Sequence, residues 1–145
     1  NSKCLIPVAM LFGAFLTACG GGGGSSSTAF VDLGGSFGKG LYKYADVQAY
    51  EVVGGTLVPT GSKVTTDQYG AYSLQLKATS NPVVVEMTTT SDTRMLDETN
   101  NFAEMTPKVG TKIRTMVAEL TTSMPEVHGN LFTEMAVEGA KMQVD

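Results

Sequence analysis

Few residues in this chain are of a type that could do chemistry. His128 is the single histidine. A zinc site needs several His, Cys or carboxylate ligands at short spacings, and His128 has no second histidine and no His-Glu-x-x-His pattern around it. Beside Gly129 it reads as a loop histidine. The stretch Gly34-Gly35-Ser36-Phe37-Gly38 places a serine among glycines. A nucleophile elbow turns from a strand into a helix, whereas this stretch reads as a turn between the first two strands. The glycine-rich run 34–40 also lacks the Gly-Lys-Ser/Thr ending of a phosphate loop. Asp32, Asp46, Asp67, Asp92, Asp97 and Glu98 could offer oxygens to calcium, but their spacing fits no known calcium loop. They read as solvated turn acids. Of the eight methionines, all but Met10 follow residue 19 at irregular intervals, a pattern suited to filling gaps in a core. The sequence therefore assigns no catalytic residue, no metal ligand and no cofactor.

The cysteines carry more information. Asn1-Ser2-Lys3 and Cys4 precede an apolar run, residues 5–16, so Cys4 lies inside the apolar leader and Cys19 stands at its end. Pro7 and Gly13 interrupt the run, and it is shorter than the ~20 residues a membrane span needs. A basic start and a short apolar stretch are the form of a secretory leader. Its end, Leu16-Thr17-Ala18-Cys19, resembles the bacterial lipobox, in which a dedicated signal peptidase reads the small residues before the cysteine. That resemblance implies cleavage before Cys19, a diacylglycerol on its sulfur and acylation of its freed amine. Two or more acyl chains hold a protein at a membrane where one does not. The following Gly20-Gly21-Gly22-Gly23-Gly24-Ser25-Ser26-Ser27 behaves as a flexible coil that would carry a domain clear of the headgroups. Gly20 in place of Asp after the cysteine resembles outer-membrane lipoproteins of Gram-negative bacteria, which implies that location. Loss of Lys3 with the leader takes the net charge from −4 to −5. The acids are scattered and there is no basic stripe, which excludes nucleic acid as a partner. With no Trp and 8% aromatics, a stacking platform for sugars or bases is poorly supplied.

From Ala29 the texture becomes one of short apolar alternations cut by Gly, Pro, Asn and Asp, which predicts strands and turns. Ala45, Val47 and Ala49 fall on one face of a strand. Gly54-Gly55 marks a tight turn, and residues 63–66 form a short β-branched strand. Asp67-Gln68-Tyr69-Gly70 predicts a turn closing a hairpin. Tyr72, Leu74 and Leu76 point inward from the next strand, and residues 83–87 form another after Asn81-Pro82. The order Ala45-x-Val47-x-Ala49-Tyr50, Thr65-Thr66-Asp67-x-x-Gly70-x-Tyr72-Ser73-Leu74 and Val83-Val84-Val85-Glu86 resembles the carboxypeptidase regulatory-like domain. The match spans about residues 29–90. It implies an Ig/transthyretin-like (prealbumin-like) β-sandwich, related in architecture to the B-type repeats of collagen adhesins. Such adhesin repeats can close an internal Lys–Asn crosslink. Lys43 with Asn100 or Asn101 supplies the residue types here, though nothing in the sequence fixes their geometry.

Past Met87 the resemblance loosens. Residues 95–102 predict a hairpin turning at Asn100-Asn101. Residues 112–120 fit a helix through Ile113, Met116, Val117 and Leu120, or a strand through Ile113, Thr115 and Val117. The strand is preferred because Thr and Val are frequent and the sandwich needs an edge. Residues 130–142 predict a helix capped by Asn130, with Glu134 in its positive first turn.

The chain divides into a leader (1–18), the lipidated Cys19 with its tether (19–28), a mainly β domain (29–122), and a linker with the start of a helical region (123–145). The helical pattern stops at Asp145 in mid-course, which leads us to expect a fragment of a longer chain. The expected function is that of an envelope lipoprotein, membrane-attached through Cys19, whose sandwich is a structural or binding module for an unassigned protein or polysaccharide. The alternative is an accessory domain of a larger secreted enzyme or transport protein whose working part lies beyond residue 145. A self-contained enzyme is not expected, and likeness to a carboxypeptidase's companion domain brings no peptidase activity with it.

Overall fold

The computed structural model describes residues 29–38, 41–97 and 99–141. Leu16, Thr17, Ala18, Cys19, the glycine-serine tether and Glu98 lie outside the described residues. The chain is mainly β, with eight strands and one short C-terminal helix among the described residues. β1 (Phe30–Ser36) pairs antiparallel with β4 (Ala71–Lys77). A four-stranded sheet has the order β3–β2–β5–β8, built from β2 (Asp46–Val53), β3 (Thr56–Thr65), β5 (Val83–Thr88) and β8 (Lys112–Val117). β6 (Met95–Asp97) and β7 (Ala103–Met105) form a separate hairpin. It turns through Asn101 and Phe102, both at positive φ, where the Asn100-Asn101 pair predicted a turn.

The period-two alternation sets the core. Val31 and Leu33 of β1, Tyr72, Leu74 and Leu76 of β4, and Val47 and Ala49 of β2 belong to one buried cluster. Val83, Val85 and Met87 of β5 join it with Ile113 and Val117 of β8. The two sheets therefore share one core, to which β1, β2, β4, β5 and β8 give alternate side chains, while β3 adds only the partly buried Val64. Residues 112–117 are a strand, and the cluster takes Ile113 and Val117 but leaves Met116 exposed. Of the methionines expected in the core, Met87 is fully buried, while Met105, Met116 and Met135 are exposed.

Three local expectations change. The Asp67–Gly70 turn forms, with Asp67 Oδ1 accepting the amides of Tyr69 (2.7 Å) and Ala71 (2.9 Å) and Gly70 at φ 72°. It does not close a hairpin, because β3 and β4 lie in different sheets; it carries the chain from one layer to the other. Thr66 explains how: buried at this crossover, its hydroxyl donates to the Tyr42 carbonyl (2.6 Å) and accepts the Ala45 amide (2.9 Å). The expected short strand 63–66 is the end of the longer β3, which starts at Thr56 after the Gly54-Gly55 turn. Gly34, Gly35 and Ser36 are the end of β1 and not a turn.

Residues 124–129, expected in a linker, run parallel to β1 and extend its sheet. Gly34 N–H donates to Met124 O (2.9 Å), Val127 N–H to Gly34 O (2.7 Å) and Gly129 N–H to Ser36 O (3.0 Å). β1 is thus the middle strand of three. The approach is close enough that a Cβ at Gly35 would stand 1.9 Å from the Val127 carbonyl oxygen, which only glycine permits. Tyr72 fastens the same segment from the core, donating its hydroxyl to Val127 O at 2.6 Å while its ring lies 5.2 Å from that of Phe37. Burial pushes the Tyr72 phenol pKa well up, and a buried hydrogen bond of this kind contributes about 1 kcal/mol.

Candidate binding cleft and the serine–histidine contact

The outer face of the four-stranded sheet presents three rows of side chains. Register places Asp46, Thr88 and Lys112 in the first row, Gln48, Glu86 and Arg114 in the second, and Tyr50, Val84 and Met116 in the third. α1 (Leu131–Lys141) packs over the β8 side of this face. Its start is a reciprocal cap. Asn130 Oδ1 accepts the amides of Phe132 (2.8 Å) and Thr133 (3.1 Å), and Thr133 Oγ1 accepts the Asn130 amide (2.8 Å). The Thr133 hydroxyl also donates to the Arg114 carbonyl (2.7 Å), so the cap is fixed to the sheet. The Arg114 guanidinium, 12% exposed, bonds Glu134 and Glu138. The Glu134 carboxylate is the main cause that raises the Arg114 pKa.

Beside the helix a cleft of about 300 Å³ remains open, lined by Asp46, Thr88, Lys112, Gln48 and Glu86 of the first two rows with Tyr50 and Lys63. Lys63 reaches Asp46 across the β2–β3 pair at 2.8 Å, and Lys112 reaches Glu86 across the β8–β5 pair at 2.8 Å. Each lysine's pKa is raised, first by the hydrogen bond to its acid. Glu86 is the most enclosed of these charges, its side chain 10% exposed. Its Oε1 takes Lys112, and its Oε2 has Arg114 Nε only at 4.0 Å. Gln48 uses its amide nitrogen to bind the carbonyls of Ala49 and Thr60, both at 3.0 Å, where the β2–β3 register shifts. The amide oxygen of Gln48 and the hydroxyls of Thr88 and Tyr50 have no hydrogen bond to the described residues. Sequence reasoning did not find this cleft. Its only local signal was the polar alternation Asp46, Gln48, Tyr50, and the partners come from strands up to 66 residues away.

His128 meets Ser36. Ser36 Oγ lies 3.0 Å from His128 Nδ1, and the Ser36 amide donates to the same nitrogen at 3.2 Å. Gly34-Gly35-Ser36-Phe37-Gly38 does have the Gly-x-Ser-x-Gly spacing, but Ser36 ends an extended strand and no helix follows it directly. In a hydrolytic triad a carboxylate orients the imidazole nitrogen opposite the serine. Here no carboxylate is bonded to Nε2 among the described residues. With two donors on Nδ1, the contact fastens the 124–129 segment to the end of β1.

Lys43 does not approach an asparagine. Its amine pairs with Glu104 at 2.5 Å, and Asn100 and Asn101 sit exposed in the β6–β7 turn. Of the acids, Asp67 and Asp97 bond turn amides and Asp46 bonds Lys63. No group of three or more His, Cys, Asp or Glu able to hold a metal occurs among the described residues.

Comparison with family models, with curated proteins and with solved structures returns no match.

Proposed function

We propose that this chain is a lipoprotein of the bacterial cell envelope, held by acyl chains on Cys19, whose β domain serves as a binding or structural module. The observation that carries the reading is an order. The apolar leader, Leu16-Thr17-Ala18-Cys19 and the glycine-serine tether precede β1 at Phe30 with only Thr28 and Ala29 between. A glycine-serine stretch in the sequence before the first strand is what a membrane-tethered domain requires. The domain is read as a transthyretin-like sandwich of the carboxypeptidase regulatory-like kind, supported by the two sheets that share one core and by the Thr66–Tyr72 crossover. Outer-membrane residence of a Gram-negative cell is the location proposed from Gly20.

The test is intact mass of the protein from bacterial membranes, wild type beside Cys19→Ser. A mature chain starting at Cys19 with added acyl mass, absent from the variant, supports the reading. An unmodified chain, or one cut elsewhere, sinks it.

A further inference from the structure

The cleft on the outer sheet face is chemically selective. Its charges are internally matched, Asp46 with Lys63 and Glu86 with Lys112. An ionic ligand would have to displace one member of a pair and lie against its like-charged partner. A neutral hydroxyl has no such conflict, because it can donate to a carboxylate and accept from an ammonium at once. The uncommitted groups suit that partner. The Glu86 Oε2 and Gln48 carbonyl oxygens accept, the Thr88 and Tyr50 hydroxyls do either, and each lysine keeps further N–H donors. Glu86 is the most enclosed acceptor of the cleft, its side chain 10% exposed, with Oε1 on Lys112 and Oε2 facing Arg114 only at 4.0 Å, so that Oε2 can still accept a hydrogen bond from a ligand. Tyr50 adds a ring at the inner end, next to Val84 and Met116 in its row, against which C–H groups can lie. About 300 Å³ is at the small end of ligand sites, room for one or two sugar rings.

We infer that this cleft binds a neutral saccharide, with Glu86, Thr88, Gln48 and Tyr50 as its hydrogen-bonding residues. The inference rests on the binding-module reading and gives it a ligand class. One tyrosine in place of a broad aromatic platform makes recognition depend on hydroxyl contacts more than on stacking.

The experiment is an amide NMR titration of the full chain in a detergent without a sugar headgroup. The probes are maltose, cellobiose and lactose, with inorganic phosphate and glutamate as ionic controls. Saturable shifts at Gln48, Glu86, Thr88 and Lys112 with at least one sugar are expected, weakened about tenfold in Tyr50→Phe and in Thr88→Val. Both substitutions keep side-chain volume, and unchanged spectra elsewhere show that each variant is folded. Shifts at these amides with phosphate or glutamate and none with any sugar overturn the saccharide inference while leaving a binding module. No saturable shift with any probe, or sugar shifts that both variants leave intact, overturns the cleft as a saccharide site. Lipidation at Cys19 is read separately by mass, so the anchor and the ligand can fail independently.

Discussion

Single side chains hold this protein together by reaching between segments distant in sequence. Glu51, near the end of β2, accepts the Thr79 hydroxyl at 2.5 Å and the Asn81 side-chain Nδ2 at 2.8 Å. Thr79 in turn exchanges backbone hydrogen bonds with Leu120. The Thr79 and Asn81 bonds hold the Glu51 carboxyl below its ordinary pKa. A depressed folded-state pKa gives stability that is present above the unfolded value and lost as pH falls through the folded one. Urea unfolding of wild type and Glu51→Gln should therefore differ most near neutrality. The two curves should converge as pH drops below the usual carboxylate range. A constant gap down to acid pH would show that the charged form of Glu51 is not what matters. The same direction applies to Asp97, bonded to the Thr99 hydroxyl, and to Glu104, paired with Lys43.

At the scale of elements, α1 is attached to the sheet more by polar contacts than by an apolar stripe. Val137 is buried, but Phe132 and Met135 are exposed, so Arg114 and the Thr133 hydroxyl carry much of the docking. Arg114→Met should cost about 2 kcal/mol, since it leaves Glu134 and Glu86 without the partly buried cation between them. It should also raise hydrogen exchange across 131–141 while β2 and β5 stay protected, and equal protection of the helix in both proteins would refute the assignment. Much at this scale was legible in the sequence. Alternation revealed β2 and β4, which bury one face and show the other, while β5 was read from its valine run and is buried on both faces, and β8 from its Thr and Val content. Asn130 and Glu134 marked the helix start, since capping is chemistry among near neighbours. Pairing was not legible. Asp67–Gly70 spells a turn, yet nothing local says whether the chain folds back in one sheet or crosses to another. Residues 124–129 contain Pro125 and no alternation, and they join the sheet through backbone bonds to Asp32, Gly34, Ser36 and Gly38. The Ser36–His128 contact spans 92 residues, and the cleft assembles from four strands, so neither leaves a trace in any one stretch.

For the whole molecule, the 124–129 segment and α1 belong to the domain and not to a linker. A chain ending at residue 122 leaves the 124–129 side of β1 without its partner and removes Val127, whose carbonyl accepts the Tyr72 hydroxyl. Such an unpaired edge invites association with other chains. The truncated protein should elute from size exclusion as oligomers or unfold at lower denaturant, whereas a chain ending at Asp145 should not. Equal stability of the two forms would place the boundary back at 122. The position of β1 has one more consequence, for force. Its first residue, Phe30, pairs with Lys77, at the end of the sheet opposite the 66–70 crossover, and β1 is bonded along both sides. A pull on the preceding chain, directed along the strand, would load β4 and 124–129 together in shear, many backbone bonds at once. The domain is built to resist tension at the point where its leash would attach.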